Sequence, residues 1–341
     1  MTDTTSRGTA SLQRLTEMAD YIVPFTLRAV CDLGVADELA AGPVGVEELA
    51  RRTGTHAFSL YRALRALASR GVFTEVEPRV FALTELGQPL RSDHPLSLRE
   101  AYPLLVGDVE AWAHLGHSLR TGRSAFDEAH GTDYWTYLAE RPGDSARFDA
   151  SQRAVSRREV RALVPAYDWG RFSTIVDVGG GNGTFLAAVL AAHPHLRGTL
   201  FDQPHVVSSA GPVLAERGVA ERAEVVGGSF LDAVPAGADA YVVKRALYDL
   251  DDAGASAMLK VVRAAMRPDS TLLVVEPVVE PGDAFDWGKL YDLLLLVMRG
   301  GGGRSPEQLA ALLAGADLEL VGVSPTRSLS IVEARPRPPV G

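Results

Sequence analysis

The segment Asp177-Val-Gly-Gly-Gly-Asn-Gly183 decides the fold of this chain. It follows the β-branched run Thr174–Val178 and precedes the apolar stretch Phe185–Ala192, which is typical of a helix. Four glycines in five positions permit backbone torsions and close approaches that a Cβ would forbid. A strand, a glycine-rich turn and a helix in this order predict the carboxyl edge of a parallel sheet, where nucleotide-like ligands bind.

Apolar strands and helices continue to alternate after this turn. We predict further strands at Gly198–Phe201, Ala223–Val226, Tyr241–Lys244 and Thr271–Glu276, with helices such as Ala253–Met266 between them. This alternation predicts a parallel sheet covered by helices on both faces. Only five residues separate Leu318–Val323 from Leu329–Ala334, so the last two strands are predicted to pair antiparallel. The fold class is therefore α/β with a Rossmann-like sheet.

The N-terminal third has a different, mostly helical pattern. The apolar residues of Leu60–Leu67 fall on one helical face, and a short hairpin is predicted around Glu77–Arg79. Helix, turn, helix and hairpin predict a winged helix over residues 11–105, followed by a second domain over 106–337. The apolar content of Tyr21–Leu39 exceeds what one small winged helix buries, which predicts a dimer interface.

Composition and charge argue against several protein classes. The 341 residues contain 34 Lys and Arg against 43 Asp and Glu, and the net charge of −9 is unfavourable for a protein whose main partner is nucleic acid. The lone Cys31 excludes an internal disulfide and a cysteine-built zinc site. There is no signal-peptide pattern and no apolar run near the roughly 20 residues of a membrane span. We therefore expect a cytoplasmic enzyme that binds neither nucleic acid nor membrane.

The glycine turn is followed by two further signals of a ligand that contains ribose. Asp202 lies 19 residues after Gly183 at the next strand end, where its carboxylate can accept hydrogen bonds from ribose hydroxyls. A second turn, Gly227–Leu231, follows the third strand. The nicotinamide pattern G-x-G-x-x-G, begun at Gly179, fails at Thr184, and no G-x-x-x-x-G-K-[ST] phosphate loop is present.

Four motifs in order resemble those of S-adenosylmethionine-dependent O-methyltransferases, especially the bacterial branch that tailors aromatic polyketides and other natural products. The motifs are Asp177–Gly183, Phe201–His205, Gly228–Phe230 and Lys244–Asp252. The resemblance covers nearly the whole chain. It implies a class I methyltransferase sheet, a homodimer held by the winged-helix domain, S-adenosyl-L-methionine as cofactor with S-adenosyl-L-homocysteine as product, and a small aromatic substrate.

The resemblance also implies which residues surround the cofactor. The turn glycines would pass under its methionine part, and Asp202 would hold its ribose hydroxyls. Ser229 and Phe230 would face the adenine, although the family usually has aspartate where Ser229 stands. Lys244 would lie near the adenine end as well. The complete implied set is Asp177, Gly179, Gly181, Gly183, Asp202, Ser229, Phe230 and Lys244.

The general base of the family is replaced in this sequence. The usual histidine and aspartate correspond to Tyr248 and Asp249, and the glutamate usually found before Arg304 is Gly303, while Glu276 remains. Neutral tyrosine, with a reference pKa of about 10, is a poor base. We therefore predict Tyr248, Asp249 and Glu276 as the catalytic residues, with Tyr248 either orienting the acceptor or merely filling space.

The acceptor pocket implied by the resemblance is aromatic and apolar, which suits a flat hydrophobic ligand. Its predicted residues are Trp112, Tyr134, Trp135, Phe148, Gln152 and Met298. His114 and His117 lie three apart on a predicted helix and serve either the substrate or a metal, but the sequence offers no convincing third ligand, so we predict no metal site.

The sequence thus predicts an O-methyltransferase that acts on a hydroxyl of an aromatic natural product, mainly by proximity and alignment. One alternative keeps the cofactor site but uses it for hydroxylation, decarboxylation or ring closure. A second alternative, from another class, is a ligand-responsive regulator built on the winged helix.

Overall fold

The computed structural model describes residues 2–326 and 329–338. The chain divides into two compact units. The first comprises Met1–Leu105 and Gly143–Val155, and the second comprises Val106–Pro142 and Ser156–Gly341. The division after residue 105 lies where the sequence placed a domain boundary, whereas the membership of residues 143–155 in the first unit was not predicted.

The first unit has helices, a hairpin and one short extra strand. Its elements are α1 (Thr2–Ala19), α2 (Ile22–Asp32), α3 (Val35–Glu38), β1 (Val44–Gly45), α4 (Val46–Thr53), α5 (Ala57–Ala68), β2 (Phe73–Glu77) and β3 (Val80–Leu83). In the described residues the strands form an antiparallel sheet in the order β1-β3-β2. Leu49, Leu64 and Phe81 are fully buried at its core. The predicted order of helix, helix and hairpin is present.

The second unit begins with five helices and continues with alternating strands and helices. The helices are α6 (Val106–Ala113), α7 (Leu115–Thr121), α8 (Ala125–His130), α9 (Tyr134–Ala139), α10 (Pro142–Leu163), α11 (Thr184–Ala192), α12 (Pro204–Val207), α13 (Ala210–Glu216), α14 (Asp252–Ala265), α15 (Trp287–Arg299) and α16 (Pro306–Ala314). The strands are β4 (Thr174–Val178), β5 (Arg197–Asp202), β6 (Ala223–Gly227), β7 (Ala240–Lys244), β8 (Thr271–Glu276), β9 (Leu318–Pro325) and β10 (Ser330–Pro336). Residues 143–155 of α10 belong to the first unit.

Among the described residues, seven strands form one sheet in the order β6-β5-β4-β7-β8-β10-β9. The first five are parallel, and β10 runs antiparallel to both β8 and β9, as predicted from the short connection between the last two strands. Neighbouring residues face opposite sides of the sheet. Ile175 therefore packs in one core layer and Val176 in the other. The α/β prediction is confirmed.

No helix in the part of the chain that the structure describes is long and apolar enough to cross a membrane.

Candidate active site

The glycine loop connects β4 to α11 with an unusual backbone. Gly179, Gly181 and Gly183 have φ angles of 71°, 62° and 79°, in the left-handed region that side-chain-bearing residues rarely adopt. Gly180 does not have a left-handed φ angle, but a side chain has no room there. A Cβ on Gly180 would lie 2.5 Å from Leu200 and 2.6 Å from the carboxylate of Asp177. The loop sequence is therefore required both by conformation and by packing.

Asp202 ends β5 opposite this loop. Its Oδ2 accepts a hydrogen bond of 2.9 Å from the backbone N–H of Gly181, and its Oδ1 accepts one of 2.7 Å from Gln203. Each carboxylate oxygen has a further lone pair, and the side chain is only half-buried. Asp202 is thus held in place and has free lone pairs for further hydrogen bonds, and its contact with ribose hydroxyls stays a prediction.

The turn after β6 reaches the same place. Phe230 lies 3.8 Å from the position that a Cβ of Gly179 would occupy. A Cβ on Gly228 would lie 2.6 Å from the ring of Phe201, so the turn packs closely on β5. The structure therefore brings Phe230, and with it the half-buried Ser229, to the glycine loop.

Asp177 is a buried acid beside the loop. Neither of its carboxylate oxygens has a hydrogen-bond partner among the described residues. Burial, opposed by Lys244 and aided by nearby Asp202, raises the pKa of Asp177 to about 7. Two orphaned acceptor oxygens beside a glycine cradle fit a ligand that carries an ammonium group, as the methionine part of the predicted cofactor does.

Lys244 and Arg245 end β7 and converge on Glu159 of α10. The Nζ of Lys244 lies 2.6 Å from Glu159 Oε2, and the Nη1 of Arg245 lies 3.3 Å from Glu159 Oε1. Glu159 is buried, and the side chains of Lys244 and Arg245 are 8% and 12% exposed. Burial opposes ionisation of Glu159, but the two cations outweigh it and hold its pKa below the ordinary value. The ammonium of Lys244 is therefore committed to Glu159, and a contact with adenine stays a prediction.

Tyr248 lies in the turn that follows these cations. Its hydroxyl accepts a hydrogen bond of 2.6 Å from the Nε of Arg245, and its side chain is 2% exposed. Burial raises the pKa of Tyr248 well above its ordinary value. The hydroxyl therefore stays protonated, which makes Tyr248 unsuited to act as a general base.

Asp249 forms an ion pair of 2.5 Å with Arg299 at the end of α15. The guanidinium of Arg299 also lies over the rings of Tyr134 and Trp135, at 5.2 and 4.5 Å from their centroids. Burial raises the pKa of Asp249, and Arg299 opposes that rise. Arg299 thus joins a predicted catalytic residue to two residues of the predicted acceptor pocket.

Glu276, at the end of β8, is fully buried. Neither carboxylate oxygen makes a hydrogen bond within the described residues. Burial raises its pKa to about 8; the Arg304 guanidinium opposes the rise, but its own hydrogen bonds go to Asp252 and to backbone carbonyls. Glu276 is therefore largely protonated at neutral pH and suited to donate rather than to accept a proton.

The two positions where the sequence departs from the family pattern are close together. The backbone N–H of Gly302 donates to the carbonyl oxygen of Tyr248 at 3.1 Å, so the loop before Arg304 packs on the Tyr248 turn. Gly303 donates its N–H to Asp292 Oδ1 at 2.8 Å, and a Cβ on Gly303 would lie 2.7 Å from Cγ2 of Val279. Val279 occupies the space that a larger residue at 303 would need.

The predicted acceptor residues fall into two groups. Trp112 of α6 and Tyr134 and Trp135 of α9 belong to helices of the second unit, as does the buried Met298, and α15 packs against α6, α7 and α8. Phe148 and Gln152 lie on the part of α10 that belongs to the first unit. The role of all six residues in an acceptor pocket stays a prediction. His117 lies 3.7 Å from Glu128, and no group of three metal-ligating side chains occurs among the described residues.

Sequence reasoning missed Glu159, Arg245, Asp292 and Arg299. The signal available for Arg245 was a second cation directly after Lys244 at the end of a buried strand. Glu159 gave no signal, because it lies on a long polar helix 85 positions before Lys244 along the chain.

Comparisons with known proteins decide the family. A model of the O-methyltransferase domain matches residues 112–319, and a model of the O-methyltransferase dimerisation domain matches residues 16–93. The chain belongs to the O-methyltransferase family. The resemblance predicted from the motifs is thereby confirmed, together with S-adenosylmethionine as the cofactor of the family.

The relatives of this O-methyltransferase include enzymes of antibiotic biosynthesis. It is 41% identical over 341 residues to phenazine O-methyltransferase PhzM from Lysobacter antibioticus. The alignment covers 98% of this chain and 100% of the relative. The crystal structure of LaPhzM matches with a TM-score of 0.89 and 41% identity, over 96% of this chain and 99% of that one.

Two other relatives bear on the reaction. NcsB1, an O-methyltransferase from neocarzinostatin biosynthesis, was solved with S-adenosyl-L-homocysteine and 1,4-dihydroxy-2-naphthoic acid; it matches with a TM-score of 0.80 and 37% identity, over 94% of this chain and 98% of that one. Aclacinomycin 10-hydroxylase RdmB from Streptomyces purpurascens is 33% identical over 314 residues, which cover 90% of this chain and 84% of the relative.

Proposed function

We propose that this enzyme transfers the methyl group of S-adenosylmethionine to an acidic hydroxyl of an aromatic natural product, without a protein base. The observation that carries the proposal is the pair Tyr248 and Arg245. The residue at the position of the family's histidine is a buried tyrosine whose hydroxyl accepts a hydrogen bond from a guanidinium. Such a hydroxyl keeps its own proton and therefore cannot accept the proton of the substrate hydroxyl.

The cofactor site supports this proposal. Gly179 and Gly181 supply a backbone surface that a ligand can approach closely, and Asp202 supplies the ribose acceptor. The orphaned carboxyl of Asp177 would receive the cofactor's ammonium group. When bound, the cofactor supplies an electrophilic methyl carbon on a sulfonium, which is the chemistry that a phenolate oxygen can attack.

In the proposed reaction, the protein mainly aligns the two reactants. The acceptor oxygen forms a bond to the methyl carbon while the carbon–sulfur bond breaks and leaves its electron pair on sulfur. Proximity and orientation can supply roughly 7–11 kcal/mol of the barrier. A positioned base would add only about 10²–10⁴-fold, and an acidic phenol that is already ionised does not require it.

We also propose a homodimer that works in the cytoplasm. The matched dimerisation domain and the exposed apolar side chains at the start of the chain support the dimer. These side chains are Leu12, Leu15, Met18, Tyr21, Ile22 and Phe25. So large an apolar surface on α1 and α2 is typical of a subunit interface.

The proposed function is tested with S-adenosylmethionine and a panel of aromatic hydroxyl compounds, among them a hydroxyphenazine and a dihydroxynaphthoate. Formation of S-adenosylhomocysteine together with a methyl ether is the expected result, by mass spectrometry. Asp202→Ala at limiting cofactor concentration serves as the control that ties turnover to the site.

A second candidate is a reaction that needs the bound cofactor but leaves its methyl group in place. The similarity to a relative described as a hydroxylase, together with the loss of the histidine at 248, favours this candidate over the regulator. It predicts conversion of a substrate that requires S-adenosylmethionine without formation of S-adenosylhomocysteine.

A further inference from the structure

Arg245 occupies an unusual position for a charged residue. Its φ angle is +55°, in the left-handed region, and its backbone N–H still donates to the carbonyl of Val275 at 3.0 Å, so it prolongs the pairing of β7 with β8. A non-glycine residue in this region is strained and persists where the surroundings determine it. The torsion holds the side chain of Arg245 inside the protein, where its guanidinium meets Glu159 and the rings of Tyr248 and Tyr291.

The buried charges around Arg245 do not balance. In the described residues, Glu159 is the one carboxylate that forms ion pairs with Lys244 and Arg245, so two basic side chains share one carboxylate. Burial lowers the pKa of Lys244, and Glu159 opposes that fall, whereas the guanidinium of Arg245 keeps its charge. Asp177, which also acts on Lys244, has its pKa raised to about 7 by burial and supplies only part of a charge at neutral pH. A buried cation without a full counter-charge is costly, and an anionic ligand relieves that cost.

Charges on the neighbouring elements leave this excess in place. Asp249 is already paired with Arg299, and the other groups that act on the cluster are Tyr291 on α15 and the guanidinium of Arg158 on α10.

The hydrogen bond between Arg245 and Tyr248 has only one possible direction. A guanidinium has no acceptor, so the Tyr248 oxygen accepts and its own hydrogen is left to donate elsewhere. Among the described residues that hydrogen has no acceptor, although the side chain is buried. A buried donor without a partner is uncommon, and here it indicates a ligand oxygen.

This donor lies close to the cofactor cradle. Ala246, between Arg245 and Tyr248, lies 3.3 Å from the position that a Cβ of Gly179 would take. The turn that holds Tyr248 is therefore adjacent to the glycine loop, which is where the acceptor must meet the methyl group.

We propose that Arg245 and Tyr248 select the acceptor in its ionised form, Arg245 by its charge and Tyr248 by donating a hydrogen bond to the phenolate oxygen. The inference rests on the proposed function and names its substrate class, phenols that release their proton to water on binding. No side chain takes that proton. The phenolate oxygen then forms the bond to the methyl carbon, and the electrons of the carbon–sulfur bond stay on sulfur.

The test measures the pKa of a bound phenol directly. The probe is para-nitrophenol, whose phenolate absorbs visible light, bound to the full-length protein loaded with S-adenosylhomocysteine, which carries no sulfonium charge. We expect the bound probe to ionise about one unit or more below its pKa in free solution. Arg245→Gln should abolish that shift, Arg245→Lys should restore part of it, and Arg335→Gln, which removes an exposed guanidinium on β10, should leave it unchanged.

Affinity for S-adenosylhomocysteine, measured by calorimetry, shows that each variant is folded. If Arg245→Gln does not fold, the wild-type titration alone decides, because a probe that binds equally well in neutral and ionised form overturns the inference. An unchanged shift of the phenol pKa in Arg245→Gln also overturns it.

Turnover reports separately on the proposed function. If S-adenosylhomocysteine forms although the bound phenol stays neutral, only this inference fails. If phenolate is preferred but no S-adenosylhomocysteine forms, only the methyl-transfer function fails.

Discussion

The backbone N–H of Gly181 donates a hydrogen bond of 2.9 Å to Oδ2 of Asp202. This bond joins the glycine loop after β4 to the end of β5, so the two parts of the proposed cofactor site fix each other's position. Asp202 therefore supports the glycine loop, in addition to binding ribose as we propose.

Asp202→Ala should weaken binding of S-adenosylhomocysteine by about 1.5–3 kcal/mol, the range for hydrogen bonds to a charged group. The loss combines the ribose bonds with the support of Gly181. Isothermal calorimetry measures it, and Asp149→Ala, which removes an exposed carboxylate from α10, should bind like the wild type. Equal affinities in Asp202→Ala and wild type would show that the cofactor lies elsewhere.

Glu276 gives a prediction about stability and pH. Burial raises its pKa from the ordinary 4.5 to about 8, so between these values the folded protein binds more protons than the unfolded chain. The free energy of unfolding contributed by Glu276 therefore falls as the pH rises from about 4.5 to about 8. Glu276→Gln cannot ionise and should be more stable than the wild type above about pH 8, by on the order of a few kcal/mol.

Urea unfolding across this pH range measures the effect in the cofactor-free protein. The free energy of unfolding of Glu276→Gln should still decline, by a smaller amount, as the pH rises to about 7, because the pKa of Asp177 is raised to about 7. Parallel stability profiles for Glu276→Gln and wild type would mean that Glu276 ionises normally in the folded state.

Gly303, which stands where the family usually has glutamate, packs closely against Val279. Because a Cβ there would lie 2.7 Å from Cγ2 of Val279, Gly303→Ala should destabilise the protein by about 1–3 kcal/mol, as overpacking does. In a protein that also carries Val279→Ala, Gly303→Ala should lower the free energy of unfolding by less, because the contacting Cγ2 is absent. Urea unfolding of the four proteins gives the coupling, and an identical cost in both backgrounds would contradict the contact.

The molar mass of the protein in solution tests the proposed dimer. Light scattering at micromolar concentration should give twice the 36.4 kDa of the chain. Replacing exposed Leu15 and Phe25 of the first two helices by aspartate should shift the equilibrium toward monomer, since charge at a buried apolar interface is unfavourable. Aspartate at exposed Val321 of β9 is the matched control, and a monomeric wild type would refute the dimer.

Much of the fold could be predicted from the sequence because its signals are local. Each predicted strand from Thr174 onward is present within a few residues, since β-branched runs and glycine turns are short-range patterns. The short connection before β10 was sufficient to predict the antiparallel pair.

The interactions of the site were less predictable because they join distant parts of the chain. Glu159 meets Lys244 and Arg245 only when α10 packs on the sheet. Asp249 meets Arg299 only when the end of α15 lies beside the turn that holds Tyr248. The sequence identified Tyr248 as a departure from the family but gave no sign that a guanidinium holds its hydroxyl. That bond favours the alternative in which Tyr248 orients the acceptor over the one in which it only fills space.

The rate of S-adenosylhomocysteine formation by wild type and Tyr248→Phe, measured with phenols of graded acidity, tests the central claim most directly. The account predicts methyl transfer that is fastest with the most acidic acceptors. It predicts a loss of about tenfold in Tyr248→Phe, because a hydrogen bond to an ionised oxygen contributes at least about 1.5 kcal/mol. A loss of about 10²-fold or more would identify Tyr248 as an obligate base. No S-adenosylhomocysteine with any phenol, together with cofactor-dependent conversion of another substrate, would contradict methyl transfer itself.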